Sequence, residues 1–301
     1  MRETFLAIVN PAAGGGRAAK LAGEALARLK EKGLRVDVIA STSAGHVAQL
    51  AKEAYAQGYR KFLAVGGDGT AHELINGAFH ESGGAQRIQL GFLPMGTGNS
   101  FLRDFTQGDA AEHSIEALAA GRKRSIDLLR LKHAGGTIYS FNLLSVGFTA
   151  DVGALANRIF KPFGHPGYLL GVFVRVAQLK RRGFKMRCDE DGSWDERRCL
   201  FLTFNNSKFT GGKMMIAPDA DPSNGSIEYV RWGPIGRFGL IKMLPRLYDG
   251  THTSHDLCEV RKVKRVEFAL EGPVDVMIDG EVVTVDCQTL EILPGGMDIF
   301  V

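Results

Sequence analysis

The sequence has little cysteine, proline and tryptophan, and it has no long apolar run. Its four cysteines are far apart and form no Cys-x-x-Cys pair, which argues against a disulfide framework and a zinc knuckle. The most apolar stretch, residues 168–179, is too short to span a bilayer and contains Arg175. No signal-peptide pattern precedes the first strand-like segment. We therefore expect a cytoplasmic protein, one that reaches a membrane only from the side.

Two common phosphate-binding motifs are also absent. The chain contains no GxxxxGK[ST] and no properly placed GxGxxG, which excludes the P-loop and the dinucleotide fingerprint. The net charge of +4 at pH 7 suits either a phosphate-bearing ligand or an anionic membrane surface. The basic clusters are short and typical of solvated surface, so we expect no nucleic-acid partner.

Residues 1–126 alternate between strand-like and helix-like segments. The apolar runs predict strands over residues 5–10, 34–41, 61–67 and 88–94, with helices over 16–33, 47–56 and 72–79. Leu21, Ala25, Leu26 and Leu29 form the expected apolar face of the first helix. Such alternation is typical of a doubly wound α/β domain with a parallel sheet.

Residues 127–301 have a different sequence pattern, in which strand-like segments are joined by turn dipeptides. These dipeptides, which are typical of hairpins, are Gly135-Gly136, Asp191-Gly192, Asn224-Gly225 and Asp279-Gly280. Segments such as 136–148 and 274–286 predict antiparallel strands, with one helical interruption around 165–180. We expect an all-β second domain, an antiparallel β-sandwich, and a C-terminal tail that is free to return to the first domain.

Three glycine-rich segments, at residues 10–17, 66–69 and 93–101, each follow a predicted strand. In α/β folds, ligands collect at the carboxyl ends of the strands, so these segments mark a candidate site. A loop without side chains lets backbone N–H groups approach an oxyanion, and the following helix N-terminus adds partial positive charge. The alternative interpretation of each segment is an ordinary tight strand-to-helix turn.

One acid, Asp68, lies inside the second glycine segment, where it would repel a phosphate directly. An acid at this position is better explained if it holds Mg²⁺ or a water on that ion, because the cation then neutralises the phosphates. Thr70 is available to cap the helix that follows. Glu73, one turn later, is either a group that supports the metal site from outside its ligands or an ordinary first-turn acid that balances the helix dipole.

Taken together, these segments resemble the diacylglycerol kinase catalytic-domain family, which includes sphingosine kinases and bacterial soluble lipid kinases. The matching segments, in family order, are residues 10–17, 66–77, 91–101, 125–128, 141–152, 211–220 and 279–281. The resemblance spans nearly the whole chain. It implies an α/β domain followed by a β-sandwich, with the active site in the cleft between them.

The resemblance also implies roles for individual residues. The residues expected to contact ATP are Asn10, Pro11, Gly14, Gly15, Gly16, Arg17, Ser41, Thr42, Gly66, Gly67, Asp68, Gly69, Thr70, Ala71, His72, Glu73, Gly96, Thr97 and Asn99. Asp68 would serve the magnesium–phosphate arrangement. The Asp-Gly-Glu segment would supply the general base, for which we favour Glu281 over Asp279. The alternative interpretation of that segment is a plain hairpin turn. A hairpin turn can also present a catalytic carboxylate, so the two interpretations are compatible.

The chain departs from the family pattern at two points. Ser100 stands where relatives commonly have Asp, and Ser223-Asn224-Gly225 replaces a common Asp-Asp-Gly. The second of these segments matches a structural Mg²⁺ site, whose ligands here would be Asp221, Asn224 and Ser226. An amide oxygen binds a hard cation more weakly than a carboxylate does, so we expect this second site to be impaired.

The function implied by the resemblance is phosphorylation of a lipid hydroxyl by ATP at a membrane surface. A diacylglycerol-like substrate is favoured over a sphingoid base or phosphatidylglycerol. Residues 158–182 are candidates for an acyl groove or a membrane contact, with a plain packed helix as the alternative. A soluble-metabolite kinase of the NAD kinase type, a nucleotide-binding module without catalysis, and assembly as a homodimer stay open.

Overall fold

The structure is a computed structural model that describes residues 4–82, 87–106, 108–155, 180–190 and 192–301. The chain divides into two compact units, Met1–Ile126 with Gly295–Val301 and Asp127–Pro294. Among the residues described, none of the helices combines the length and the apolar character needed to cross a bilayer. Most of segment 158–182, the predicted lipid-side element, lies outside the described residues, as does most of the predicted helix around 165–180.

The first unit has a parallel sheet in the order β2-β1-β3-β4, and the last residues of the chain add to β4 in parallel. The strands of this unit are β1 (Phe5–Val9), β2 (Val36–Ala40), β3 (Lys61–Gly66) and β4 (Gln89–Pro94). Its helices are α1 (Ala13–Glu31), α2 (His46–Ala56), α3 (Asp68–Ser82), α4 (Ala110–Ala120) and a short 3-10 helix (Phe101–Asp104). The predicted α/β fold is confirmed.

Helix α1 packs on the sheet through small side chains. Ala18, Ala22, Ala25, Leu26 and Leu29 are buried, and they share a core with β1, β3, β4 and α4. The prediction that Leu21 belongs to this face is wrong, since its side chain is 45% exposed. The alanines at positions 18, 22 and 25 form the centre of the face, which leaves Leu21 at its margin.

The second unit is built from antiparallel strands. They are β5 (Lys123–His133, which starts in the first unit), β6 (Gly136–Ser140), β7 (Leu143–Gly147), β8 (Met186–Cys188), β9 (Phe201–Asn205), β10 (Phe209–Thr210), β11 (Met214–Met215), β12 (Ile227–Trp232), β13 (Cys258–Val263), β14 (Arg265–Phe268), β15 (Val274–Ile278), β16 (Glu281–Val285) and β17 (Cys287–Phe300, which ends in the first unit). Its helices are α5 (Phe148–Leu155), α6 (Arg237–Met243), α7 (Arg246–Asp249) and a 3-10 turn (Thr251–Ser254).

Two sheets of this unit face each other across one core. One sheet has the order β13-β12-β9-β7-β15-β16, and the other joins β8, β14, β17, β5 and β6. Side chains from both sheets, among them Leu129, Phe204 and Leu290, pack into a shared apolar cluster. The predicted antiparallel β-sandwich is therefore confirmed. A second cluster, with Trp232, Leu240 and Met277, packs α5, α6 and α7 onto the other face of the first sheet.

The turn dipeptides have mixed outcomes. Gly135-Gly136 connects β5 with β6, and Asp279-Gly280 connects β15 with β16, as predicted. The hairpin predicted at Asn224-Gly225 is wrong, because this segment joins β11 to β12, which do not pair with each other. The Gly225 N–H donates instead to the Asp127 carboxylate over 2.7 Å, which ties the turn to a distant strand.

Glu291 on β17 accepts hydrogen bonds from two arginines, Arg130 and Arg265, and its side chain is 14% exposed. The hydrogen bond from Arg130 lowers the pKa of this carboxyl below its usual 4.5. A lowered pKa means that the ion pair stabilises the fold above pH 4.5 and that this contribution is lost as the pH falls below it.

We expect Glu291→Gln to lower the free energy of unfolding at pH 7 by about 1 kcal/mol, because a charge-assisted pair becomes a neutral one. Urea unfolding of both proteins at pH 7 and at pH 3.5 measures the difference, which shrinks at the lower pH. Glu271→Gln, at an exposed position, is the control. A difference that is equal at both pH values contradicts the prediction.

Candidate active site

The three glycine segments meet at one edge of the first unit. They follow β1, β3 and β4, which are adjacent parallel strands, so their carboxyl ends lie side by side. Met95 N–H and Gly96 N–H donate to the Gly66 carbonyl over 2.7 and 3.1 Å. The Arg17 guanidinium donates to the Gly96 carbonyl over 2.6 Å. The segment at 93–101 therefore contacts both of the others.

Glycines 14–16 are left-handed, with φ of 62°, 67° and 88°, and interrupt the helical geometry at the start of α1. A side chain on Gly14 is excluded, because its Cβ would lie 2.2 Å from the Met95 carbonyl oxygen. Gly15 and Gly16 instead border open space. This loop thus has a packed side toward β4 and an open side on which backbone groups are accessible to an anion.

The glycines after β3 also have a packing role. A Cβ on Gly96 would lie 2.5 Å from the Gly67 Cα, so the loops after β3 and β4 touch backbone to backbone. A Cβ on Gly66 would collide with the Thr70 hydroxyl at 2.2 Å. These glycines therefore bring the loops together, in addition to leaving room for a ligand.

Asp68 is the first residue of α3, and its Oδ2 accepts a hydrogen bond from the Ser100 N–H over 2.8 Å. Sequence reasoning missed this contact, because it treated Ser100 only as the loss of an acid, whereas the bond uses the backbone. Nothing in a side-chain pattern reveals it. Asp68 thus links the loops after β3 and β4.

Glu73 lies further along α3, and its Oε2 is buried with no hydrogen-bond partner in the part of the chain that the structure describes. A buried carboxylate oxygen is costly without a donor or a cation. Carboxylate oxygens at Asp68 and Glu73 are the donors that Mg²⁺ prefers. The chemistry of these two residues is therefore compatible with a magnesium ion.

The other predicted nucleotide residues are distributed around this edge. Thr70 does not cap α3, which begins at Asp68, and its hydroxyl instead accepts from the Asn10 amide over 3.2 Å. Ala71 is fully buried, and its N–H donates to Gly67. Asn99 has a left-handed φ of 45° and donates to the Gly96 carbonyl, whereas Thr97 is exposed.

The segment after β2 contains Ser41 and Thr42. Ser41 is buried and its N–H donates to the Val9 carbonyl, which fixes this segment to the end of β1. The Thr42 backbone N–H donates to His46 Nδ1 over 3.1 Å, so that nitrogen of the imidazole acts as an acceptor. His46 is therefore part of this turn, a contact that sequence reasoning missed.

In the second unit, Asp279 is almost fully buried at the β15–β16 turn and has a left-handed φ of 50°. Its carboxylate accepts from the Ser140 hydroxyl over 2.6 Å and from the N–H groups of Asn142 and Leu143 over 3.0 and 3.2 Å. These bonds interrupt the strand predicted over residues 136–148, which divides into β6 and β7. They favour a structural role for Asp279.

Glu281 is the first residue of β16, pairs with Ile278, and is half-buried. Its side chain is held on a hairpin whose turn is fixed by Asp279. Of the two acids predicted as general bases, Glu281 is therefore the better suited to accept a proton. Its assignment stays a prediction.

The predicted second metal site forms a turn. Asp221 Oδ1 accepts from the backbone and hydroxyl of Ser223, and Asn224 Oδ1 accepts from the backbone and hydroxyl of Ser226. Within the described ranges no group of three or more His, Cys, Asp or Glu side chains is arranged for a metal. One carboxylate and one amide, each already accepting two hydrogen bonds at Oδ1, do not fit a structural Mg²⁺.

A small apolar cavity of about 40 Å³ lies in the second unit, between the β7–β9 sheet and the α5–α7 layer. Its walls include Phe148, Leu240, Leu247 and Met277, with Thr149 among them. The Thr149 hydroxyl is buried and has no hydrogen-bond partner within the described residues. The cavity thus combines a mostly apolar wall with the Thr149 hydroxyl, but its volume is well below the roughly 300–1,000 Å³ of an ordinary ligand pocket.

Comparison with known proteins matches both parts of the chain. Residues 4–131 match the family described as the diacylglycerol kinase catalytic domain, and residues 142–301 match the YegS C-terminal NAD kinase beta sandwich-like domain. A diacylglycerol kinase of Mycobacterium tuberculosis is 30% identical over 280 residues, covering 91% of this chain and 87% of that protein.

A Staphylococcus aureus diacylglycerol kinase is 25% identical over 287 residues, covering 93% of this chain and 87% of the relative. A crystal structure from Bacillus anthracis superposes with a TM-score of 0.78 at 20% identity, covering 99% of this chain and 97% of the other. This last similarity supports the fold.

Proposed function

Because the chain belongs to the diacylglycerol kinase catalytic-domain family, we propose that it is an ATP-dependent kinase that phosphorylates a lipid hydroxyl. The observation that carries this proposal is the meeting of the three glycine loops around Asp68. In the reaction, the acceptor oxygen bonds to the γ-phosphorus of ATP, the bond from that phosphorus to the ADP oxygen breaks, and the hydroxyl proton is transferred to a carboxylate.

The ATP phosphates are assigned to the open side of the loop at Gly15 and Gly16. No side chain there separates the backbone from an anion, and the N-terminal end of α3 faces the same edge. The Gly16 N–H donates to the Ala12 carbonyl over 3.3 Å and would have to leave that carbonyl to bind phosphate. Arg17 contributes positive charge beside this loop while its guanidinium holds the Gly96 carbonyl. These residues bind and orient the nucleotide, and orientation supplies a large part of the rate.

Magnesium would be held by Asp68, with Glu73 as a supporting acid. When bound, the ion neutralises charge on the phosphates during transfer. Asp68 is itself oriented by the Ser100 N–H. Asp68 is thus held both by its own place after β3 and by a backbone group of the loop after β4.

The proton acceptor is assigned to Glu281. General bases act from hydrogen-bonding distance of the hydroxyl, and a hairpin terminus is suited to present a carboxylate to substrate. Asp279 acts as a positioning residue, since its carboxylate is occupied by donors from residues 140–143.

The lipid acceptor is assigned to the second unit, where the apolar cavity offers a site for acyl carbons. Its volume of about 40 Å³ is too small for an acyl chain unless the lining side chains move. Thr149 can hydrogen-bond an ester or hydroxyl oxygen of the lipid. Among lipids we favour diacylglycerol, with sphingoid bases and phosphatidylglycerol as the next candidates.

The proposal is tested by incubating the protein with γ-labelled ATP, Mg²⁺ and a panel of these lipids in mixed micelles, with NAD and a sugar phosphate as acceptors in parallel reactions, followed by extraction and mass analysis. We expect label in one lipid class. Label in NAD or a sugar phosphate instead would indicate a soluble-metabolite kinase. ATP binding without transfer to any acceptor would indicate a non-catalytic nucleotide-binding module.

We also expect Gly14→Ala to weaken ATP binding by about tenfold or more, because an added methyl would displace the loop from Met95 and strain a left-handed residue. Titration with a fluorescent ATP analogue measures the change. Gly33→Ala is the matched control, since Gly33 is also left-handed but lies at the far end of α1 with open space around it. Equal affinities for the two variants would contradict the loop assignment.

A further inference from the structure

Helix α6 has apolar side chains on two opposite faces. Leu240 and Met243 are buried against the sandwich, but Phe238 is 89% exposed and Ile241 is 42% exposed. Tyr248, on α7, is 38% exposed. Phe238 and Ile241 are three residues apart on α6, a spacing that places them on one side of that helix, and Tyr248 lies on the helix that follows. Several exposed apolar side chains on adjoining helices are a candidate interaction site, because contiguous exposed apolar surface marks such sites.

Cations lie next to these three residues in the chain. Arg237, Lys242 and Arg246 are all exposed, and Asp249 is the single acid between residues 237 and 249. The Arg181 guanidinium donates to the Ile235 carbonyl over 3.2 Å, which places a fourth cation beside the start of α6. The patch is therefore apolar at its centre and positively charged at its rim.

We propose that this surface, formed by Phe238, Ile241 and Tyr248 with its rim of Arg237, Lys242, Arg246 and Arg181, docks the protein on an anionic phospholipid bilayer. Interfacial helices insert aromatic and aliphatic side chains to the level of the headgroups and keep Lys and Arg at the phosphates. The rim of the docking surface is complementary in charge to anionic headgroups.

A second copy of the chain is a poorer occupant of the docking surface. In a two-fold dimer the same patch meets itself, so the arginines and lysine of one copy would face those of the other. An anionic bilayer instead satisfies both the apolar centre and the cationic rim. This comparison favours the membrane.

The docking surface is connected with the proposed lipid site, and in that respect the inference rests on the proposed function. Leu240 and Leu247 line the apolar cavity on the inner side of the same helices that carry Phe238 and Tyr248 outward. A protein bound by this surface would hold the cavity close to the lipid headgroups. Vesicle binding itself requires no catalysis and is measured without ATP.

The test is co-sedimentation of the full chain with vesicles of phosphatidylcholine alone or with added phosphatidylglycerol. We expect binding to the anionic vesicles, and Phe238→Ser with Ile241→Ser to weaken it by about tenfold or more, since each exposed side chain loses its transfer out of water. Leu21→Ser, at an apolar position of the first unit that is 45% exposed, is the matched control and should bind normally.

Charge is tested separately with Arg237→Gln and Lys242→Gln, which should weaken binding by about fivefold each and reduce its salt sensitivity. Equal binding to neutral and anionic vesicles, or undiminished binding of the Phe238→Ser, Ile241→Ser protein, would overturn the inference. So would a wild-type dimer that these substitutions convert to a monomer, because the surface would then join two copies.

Failure of docking is distinguishable from failure of the kinase proposal. We expect the Phe238→Ser, Ile241→Ser protein to phosphorylate a short-chain lipid dispersed as monomers at the wild-type rate, and to lose activity only on vesicles. Loss on both substrates would contradict a docking role. Vesicle binding by a wild-type protein that transfers no phosphate would leave docking intact and contradict the kinase.

Discussion

Asp68→Asn is expected to lower phosphoryl transfer by about 10³-fold or more while leaving the fold intact. The substitution removes the charge assigned to the magnesium–phosphate arrangement, and charge stabilisation is a large part of phosphoryl-transfer catalysis. The amide oxygen of Asn can still accept from the Ser100 N–H, so the contact between the loops after β3 and β4 is retained. Initial rates with γ-labelled ATP and a thermal unfolding midpoint separate the two effects.

Asp109→Asn provides a matched control for this variant. Asp109 also lies at the start of a helix of the first unit, where its carboxylate accepts the N–H groups of Ala111 and Glu112. Asn caps a helix about as well as Asp does, so stability should change little. Wild-type transfer by Asp68→Asn would contradict its role, as would an equal loss in the control.

Glu281→Gln is the second substitution with a large expected effect. We expect kcat to fall by about 10²- to 10⁴-fold with little change in KM for ATP, because a general base is removed without disturbing nucleotide contacts. The unfolding midpoint should stay close to the wild-type value, since Glu281 is half-buried at the start of β16. Steady-state kinetics and unfolding on the same preparation measure both.

Asp279→Asn should instead have its main effect on the stability of the fold. Its carboxylate accepts from the Ser140 hydroxyl and from backbone groups of residues 141–143. Substitution turns an amide N–H toward these donors, and we expect a loss of about 2–4 kcal/mol of stability. If Glu281→Gln destabilises the protein while Asp279→Asn only slows the reaction, the roles assigned to the two acids are reversed.

Much of the fold could be predicted from the sequence because its signals are local. Strands β1, β3 and β4 are apolar runs buried along almost their whole length, and each precedes a glycine loop and a helical pattern. The Asp279-Gly280 hairpin is likewise encoded by its own dipeptide. Such signals need no knowledge of distant residues.

Two of the errors occur where a distant residue decides the local structure. Asn224-Gly225 is a common hairpin dipeptide, yet Gly225 N–H is held by Asp127, which lies 98 residues away in the chain. The break between β6 and β7 is fixed by Asp279, more than 130 residues later, through its bonds to Asn142 and Leu143. The sequence around each of these sites does not identify its distant hydrogen-bond partner.

The candidate site was predictable in its residue types and less so in its contacts. The glycines were expected to leave room for phosphates, but Gly14, Gly66 and Gly96 also allow loops and helix to approach one another. The bond from Ser100 to Asp68 uses a backbone N–H, which any residue except proline would provide at position 100. Replacement of the usual acid by Ser100 therefore leaves this contact unchanged.

The central claim is that the loops around Asp68 deliver the γ-phosphate of ATP to a lipid. The most direct measurement offers γ-labelled ATP to wild type and Asp68→Asn, with diacylglycerol, a sphingoid base, phosphatidylglycerol and NAD together in one reaction, and identifies products by mass. The account predicts one lipid product, heavier by one phosphate group, that the variant does not form. Label in NAD alone, or in the same lipid at equal rates with both proteins, would contradict it.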